Sequence, residues 1–276
     1  RAVKFSAEGG QAREQLYKEI LEFTLANKAH MEGQLKALGA SCDWSREKFT
    51  LDDDIRDIVY ETFKMLYDDG LIYRGNRIIN WCSKHQTSLS DLEILHPETT
   101  DPLYYLKYGP FTIATARPET KFGDKCVIVH PDDPRYAQYK NREQFEFEWI
   151  NGPIKATLIK DPVNDMAFGT GAMTITPWHS GVDFDLAQKY KLPIEQIIDW
   201  KGKIMPIGGE FAGIHISKAR AMIVEKMKAK GLLVKIEDAK HSVPVCFKCN
   251  TAIEPQVRPQ WFMAMTKKAN GKGQMA

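Results

Sequence analysis

The chain has 276 residues, with 38 Lys+Arg against 36 Asp+Glu and a formal charge of +2, so no strong overall field draws it to nucleic acid or to a membrane surface. Hydrophobic residues make up 43% and charged residues 27%, which excludes a disordered, collagenous or cationic-tail protein and leaves a globular one. At about 150 residues per domain the length suits two domains, and with no membrane-length apolar stretch and no apolar leader in the first residues, a cytoplasmic location away from membranes is expected.

Leu16, Ile20, Phe23, Leu35 and Leu38 recur at helical spacing and stop at Gly39, predicting a helix over 11–38. Thr50-Leu51-Asp52-Asp53 reads as a helix start with Thr50 as N-cap, and Ile55, Ile58, Val59, Phe63 and Leu66 carry the helix to Gly70. Leu71 to Tyr73 and Arg77 to Trp81 read as two short strands joined by a turn at Arg74-Gly75-Asn76. From about residue 101 strands dominate, at 103–108, 111–116, 125–130, 154–159 and 172–176. Two helices interrupt them, 181–190 and 217–230, the second burying Ala221, Val224, Met227 and Leu232. The fold class is therefore mixed α/β and β-rich. No P-loop, G-x-G-x-x-G or catalytic G-x-S-x-G context is present, so the usual signs of nucleotide and serine-hydrolase chemistry are missing.

The cysteines number five, an odd count that argues against a disulfide framework. Two short segments share the pattern C-x-K-[H/C]-x-T-x-[L/I], one with Cys82 and His85, the other with Cys246 and Cys249. Two intervening residues let a tight turn aim both side chains at one ion, and Cys3His is a closed tetrahedral set for structural zinc. The alternative is a metal-free loop around a small buried cysteine pair. The long stretch from Gln86 to Val245 must form its own body, which places a domain inside a zinc ribbon. Cys42 and Cys126 sit in packing and strand contexts, and neither has the surroundings of a nucleophile.

Two segments combine small, polar and turn-forming residues between strands that otherwise look buried. In Ala114-Thr115-Ala116-Arg117-Pro118-Glu119-Thr120-Lys121-Phe122-Gly123-Asp124, hydroxyls, a fixed proline turn and a guanidinium fork suit a polar or phosphorylated ligand; a turn held by a surface Arg117–Glu119 pair is the alternative. In Phe168-Gly169-Thr170-Gly171-Ala172-Met173-Thr174-Ile175-Thr176-Pro177-Trp178-His179-Ser180-Gly181-Val182-Asp183, a glycine-rich loop leads through a strand to a helix start. Ser180 and Asp183 have capping-box spacing, while a carboxylate beside a threonine-rich pocket also suits a substrate ammonium. His179 is either a proton acceptor or a core histidine satisfied by backbone.

From Leu38-Gly39-Ala40-Ser41-Cys42-Asp43-Trp44 through Asn80-Trp81-Cys82, Leu89-Ser90-Asp91-Leu92-Glu93, the Thr115-Ala116-Arg117-Pro118-Glu119-Thr120 segment and Gly169-Thr170-Gly171-Ala172 to Pro255-Gln256-Val257-Arg258-Pro259-Gln260-Trp261-Phe262, the chain resembles the connective-peptide editing region of the class I valyl-tRNA synthetases. The resemblance implies a barrel-like editing domain of the valyl/isoleucyl/leucyl type, inserted in a zinc ribbon with flanking helices. The implied division is a helical connecting region at 1–79, ribbon halves at 80–100 and 239–266, an editing domain at 101–238 and a flexible tail at 267–276. The ATP-site signatures of the family, of the His-Ile-Gly-His and Lys-Met-Ser-Lys-Ser types, are absent, so ATP would be used only by the parent enzyme.

The resemblance also implies a reaction. A valine pocket rejects threonine by only about 100-fold, the valyl system being the known example, so a second site hydrolyses the threonyl ester of tRNA(Val). Asp183 would pair with the α-ammonium and Thr176 would meet the side-chain hydroxyl, with His179 or a ribose hydroxyl assisting a water. Arg117, Thr120 and the Gly169-Thr170-Gly171 loop would hold the terminal adenosine, and Phe168 would pack on the substrate. Thr174 and Ser180 stand where the family often has Lys and Asp, which removes one positive and one negative contact. The implied partners are the acceptor end of tRNA(Val), the threonyl ester and the rest of the synthetase. An isoleucyl-type editing domain, or a zinc-ribbon tRNA-binding module without hydrolytic activity, are the alternatives.

Overall fold

The computed structural model describes residues 10–167 and 169–265; Phe168 and the expected tail at 267–276 lie outside the described residues. Two compact units divide at Gly70 and Leu71. The first holds α1 (Gly10–Ala37) and α2 (Asp53–Asp68). Both predicted helices form, but Asp52 rather than Thr50 is the N-cap of α2, and its carboxylate accepts from the Phe49 N–H at 2.9 Å. Ile20, Phe23 and Leu35 on α1 and Ile58, Val59 and Phe63 on α2 are exposed despite their helical spacing. An apolar stripe is buried only where a second layer covers it.

Among the described residues of the second unit the strands, in chain order, are β1 (Ile72–Cys82), β2 (Thr87–Leu89), β3 (Ile94–Leu95), β4 (Glu98–Tyr108), β5 (Phe111–Thr115), β6 (Cys126–Val129), β7 (Gln144–Trp149), β8 (Gly152–Lys160), β9 (Ala172–Thr174), β10 (Leu233–Ser242), β11 (Val245–Cys246) and β12 (Glu254–Met263). They form sheets in the orders β12-β1-β2, β10-β4-β5, β11-β3 and β7-β8-β6-β9. The molecule is thus mixed α/β and sheet-rich. It contains no closed barrel among the described residues, because β10 and β5 end one sheet and β7 and β9 another. The expected turn at Arg74-Gly75-Asn76 does not form: β1 runs through it, each residue from Ile72 to Trp81 pairing antiparallel with β12.

The core explains how the functional segments are held. Tyr104, Leu106 and Tyr108 on β4 and Phe111 and Ile113 on β5 are buried at alternate positions, the period-2 pattern of a half-covered sheet. All four residues of β6 are buried, as expected for a strand with neighbours on both sides, β8 parallel and β9 antiparallel. Helix α3 (Gly181–Tyr190) follows β9, and α4 (Ile216–Ala229) buries Ala219, Ile223, Val224 and Met227. Ala221, expected inside, is exposed because the buried stripe of α4 runs through Ala219 and Ile223.

Tyr108 meets Phe147 and Trp149 edge-on, with ring centroids 4.7 and 4.9 Å away. A buried Tyr or Trp needs a partner for its polar tip. Tyr108 Oη donates to the Asp124 carbonyl at 2.8 Å and Trp149 Nε1 donates to the Lys121 carbonyl at 2.8 Å. Two core aromatics thereby pin the backbone of the helical turn at Pro118–Gly123.

Candidate functional site

The Pro118–Gly123 turn is of 3₁₀ type, in which residues three apart lie on one side. That periodicity puts Lys121 beside Asp124, its Nζ 3.1 Å from Oδ2. It also separates Glu119, which faces α4, where Arg220 reaches it through Nε at 3.0 Å and Nη2 at 2.7 Å. Arg117, just before the turn, donates to Glu254 at 2.5 Å and lies 3.4 Å from Glu119 Oε1. The expected surface pair is therefore a buried one: Glu119 is fully buried and Glu254 nearly so, while Arg117 keeps about a third of its side chain exposed. Burial pushes the Glu254 carboxyl up, but Arg117 and His179 outweigh it and hold it below the usual range.

Behind Glu254 lies His179, wholly buried. Its Nδ1 is 2.9 Å from Glu254 Oε1 and 3.1 Å from the Pro255 carbonyl, and its Nε2 accepts from the Ile197 and Ile198 N–H groups, both at 3.1 Å. The hydrogen bonds assign the proton to Nδ1, and the lone pair on Nε2 is already occupied. Of the two roles open to His179, the geometry supports the core histidine. It steadies Glu254, which in turn holds Arg117.

Asp183 sits in the first turn of α3. Ser180 Oγ accepts from the Asp183 N–H at 3.4 Å, but the carboxylate does not return the bond; its Oδ2 accepts from the Thr176 N–H at 2.8 Å. The capping box is half formed, and Asp183 instead ties α3 to the end of the preceding strand segment. Burial raises its carboxyl above the ordinary value, opposed by the Thr176 N–H and the Lys121 charge. Thr176 donates its hydroxyl to Asp124 Oδ1 at 2.8 Å, and Thr120 donates to the Arg117 carbonyl at 3.0 Å. Lys121 Nζ lies 3.2 Å from Thr174 Oγ1. Thr174 thus has an ammonium beside it, supplied from the facing turn.

These groups line two adjoining hollows. One, of about 160 Å³, is bounded by Arg117, Thr120, Thr176, His179 and Ser180. The other, of about 600 Å³, is bounded by Ala114, Gly169, Thr170, Thr174, Lys240 and His241 among others. Thr115, Ala116, Lys121 and Asp183 line both. The larger volume falls in the range of ordinary small-molecule sites, about 300–1,000 Å³. Gly169 on its rim and Gly171 just beyond take positive φ of 55° and 67°, and a Cβ on Gly171 would lie 2.1 Å from the Arg135 guanidinium. Thr170 is fixed there, donating to the Thr112 carbonyl and accepting at its own carbonyl from Tyr136 Oη at 2.7 Å. Of the expected site residues within the described region, Arg117, Thr120, Gly169, Thr170, Thr174, Thr176, His179, Ser180 and Asp183 line one or both hollows, while Gly171 and the four metal candidates do not. Lys121, which lines both hollows, and Asp124, Arg220 and Glu254 behind it were not singled out in the sequence, and Glu119 was expected only as the partner of Arg117 in a surface pair.

Some distance along the chain, β3 pairs with β11 so that Ile94 opposes Cys246, which joins the two cysteine knuckles. The ligand atoms of Cys82, His85, Cys246 and Cys249 all lie within 4.8 Å of one another, and this cluster could hold a metal ion. Tetrahedral bonds of about 2.3 Å to sulfur and 2.0–2.1 Å to nitrogen set S···S near 3.8 Å and S···N near 3.6 Å. The Cys82–Cys249 sulfurs are 3.7 Å apart, and His85 Nδ1 is 3.5 Å from Cys82 Sγ and 3.6 Å from Cys246 Sγ. The donor set fits.

The family described as tRNA synthetases class I (I, L, M and V) matches residues 6–274. The chain belongs to that family. Among curated relatives it is similar to the valine–tRNA ligases of Thermotoga maritima, 42% identical over 92% of the chain and 30% of the relative, and of Pseudothermotoga lettingae, 41% identical over 93% and 31%. That of Carboxydothermus hydrogenoformans is 44% identical over 84% of the chain and 27% of the relative. The chain spans about 30% of the length of the curated relatives it matches. No helix among the described residues is long and apolar enough to cross a membrane.

Proposed function

We propose that this chain is the proofreading module of a cytoplasmic valine–tRNA ligase and hydrolyses the threonyl ester of tRNA(Val). The observation that carries the reading is charge balance. The wall that the two hollows share holds one ammonium, Lys121, and one carboxylate, Asp183; a second carboxylate, Asp124, is buried behind Lys121 at 3.1 Å, and the neighbouring Arg220–Glu119–Arg117–Glu254 chain balances itself. One negative charge is left for a ligand cation, and the α-ammonium of an aminoacyl ester supplies it. In this reading the amino acid lies at the wall that the two hollows share, between Asp183 and Thr174, and the terminal adenosine lies farther along the larger hollow, against Gly169 and Thr170. Arg117 and Thr120, expected to hold the adenosine, line the smaller hollow instead and in this reading border the amino-acid end.

With the ammonium held by Asp183, the ester carbonyl is open to a water. The water oxygen bonds to the carbonyl carbon, the bond from that carbon to the ribose oxygen breaks, and the ribose oxygen leaves with a proton. Because the His179 lone pair is occupied, the neighbouring ribose hydroxyl is the group we assign to proton transfer. Ser180 and Thr174 contribute neutral hydrogen bonds beside the amino acid.

The division into a helical segment at 1–79, ribbon halves at 80–100 and 239–266 and an editing body at 101–238 belongs to the same reading. Cys82, His85, Cys246 and Cys249 would hold structural zinc, a closed set that staples the ribbon and leaves no position for water. ATP would be consumed by the aminoacylating part of the parent enzyme. The relatives' names favour valyl over isoleucyl editing. The test is release of threonine from threonyl-tRNA(Val) by this chain: the reading expects release above the spontaneous rate, and no release would reduce it to the non-hydrolytic tRNA-binding alternative.

A further inference from the structure

The ammonium of Lys121 does more than balance charge. It is 8% exposed and lies within reach of three oxygens: Asp124 Oδ2 at 3.1 Å, Thr174 Oγ1 at 3.2 Å and Thr176 Oγ1 at 3.5 Å. A lysine ammonium has three protons and no lone pair, so each oxygen can only accept from it. That fixes the sense of every hydroxyl downstream. Thr176, accepting from Lys121, turns its own proton to Asp124 Oδ1. Thr174 accepts from Lys121 too, but no carbonyl or carboxylate among the described residues takes its proton, and Thr174 lines the larger hollow beside Asp183.

We propose that Lys121 is the positioning residue for specificity: by donating to Thr174 it occupies one lone pair of that hydroxyl and leaves its proton to the cavity, where a substrate hydroxyl can accept it and a methyl cannot. This rests on the proofreading reading and adds to it the group that tells threonine from valine. Thr174 is 8% exposed, so a valyl group in place of the threonyl one leaves its proton buried and unpaired. The lysine is itself held from the core, since Trp149 donates to its carbonyl. Asp124 keeps its charge in place from the other side.

The experiment measures binding of two non-hydrolysable analogues to this chain by calorimetry, 3′-(L-threonylamino)-3′-deoxyadenosine and its valyl counterpart. The variants are Lys121→Met, Lys121→Arg, Thr174→Val and the double Lys121→Met/Thr174→Val. Wild type is expected to prefer the threonyl analogue. Lys121→Met and Thr174→Val should each erode that preference about tenfold, the value of one well-placed hydrogen bond, and the double variant should lose no more than either single one. Lys121→Arg should restore part of it. A purely structural Lys121–Asp124 pair would instead lower stability and weaken both analogues alike, leaving the ratio unchanged, and that result overturns the proposal. If Lys121→Met does not fold, Thr174→Val, which keeps the ion pair, decides alone. Wild type that selects threonyl while every variant selects it equally well defeats only the role of Lys121. Wild type with no preference defeats the proofreading reading and this inference with it.

Discussion

In the proposed reading the ligand ammonium meets Asp183, a carboxyl whose environment opposes its charge. Burial raises it above the ordinary aspartate value, and the Thr176 N–H and Lys121 only partly offset that. Its proton is therefore held more tightly in the folded chain than in the unfolded one. Asp183 favours the fold at pH below its unfolded value, and this advantage is lost as pH rises through the raised folded value. Asp183→Asn should thus leave stability at neutral pH unchanged or slightly higher, since an amide oxygen still accepts from Thr176. Hydrolysis of the threonyl ester should fall about 100-fold or more with loss of the ionic anchor. In the wild type the acid limb of kcat/KM, which reports the free protein, should lie above the usual aspartate range of about 4. Thermal unfolding beside a pH–rate profile checks both; a limb at the ordinary value would contradict the assignment of Asp183. Residue chemistry of this kind was legible in the sequence where it was local: Asp183, Thr176 and Ser180 fall in one short segment. The partners of Arg117 and Lys121 were not, because Glu254 lies 137 residues from the first and Thr174 lies 53 from the second.

At the level of elements, the missed strands share a physical cause. β12 contains Pro255 and Pro259, which read against a strand, yet it is an edge strand, where a missing N–H costs no ladder bond. β10 carries Lys235, Glu237, Asp238 and Lys240, and it too is an edge, where charges guard against unwanted pairing. Burial pattern alone could not announce either. The turn at Pro118–Gly123 is joined to α4 and β12 through Arg220–Glu119–Arg117–Glu254, so its ion pairs hold elements together. Glu119→Gln removes the one fully buried carboxylate between two arginines. We expect a loss of roughly 2–4 kcal/mol in denaturant unfolding, below the cost for a wholly buried pair because both arginines reach solvent; a change under about 0.5 kcal/mol, the range of ordinary surface substitutions, would contradict that role. The ribbon gives a separate expectation: one zinc per chain by elemental analysis, lost in Cys249→Ser, with faster amide exchange in β2, β3 and β11 while β6 and β8 stay protected. A zinc-free chain with a fully protected ribbon would favour the metal-free alternative.

For the molecule as a whole, the way the sheets of the second unit end without closing depends on long-range pairing that no local pattern encodes. In the proposed reading the second unit offers a polar wall with one unbalanced negative charge, in a chain that covers about 30% of its valine–tRNA ligase relatives. The most direct measurement is hydrolysis of threonyl-tRNA(Val) and valyl-tRNA(Val) side by side, by this chain and by its Asp183→Ala variant, with unfolding curves confirming that both are folded. The account predicts that the wild-type chain clears the threonyl ester, spares the valyl ester, and loses that activity in the variant. Equal clearance of both esters, or clearance of the threonyl ester that survives Asp183→Ala, would contradict it.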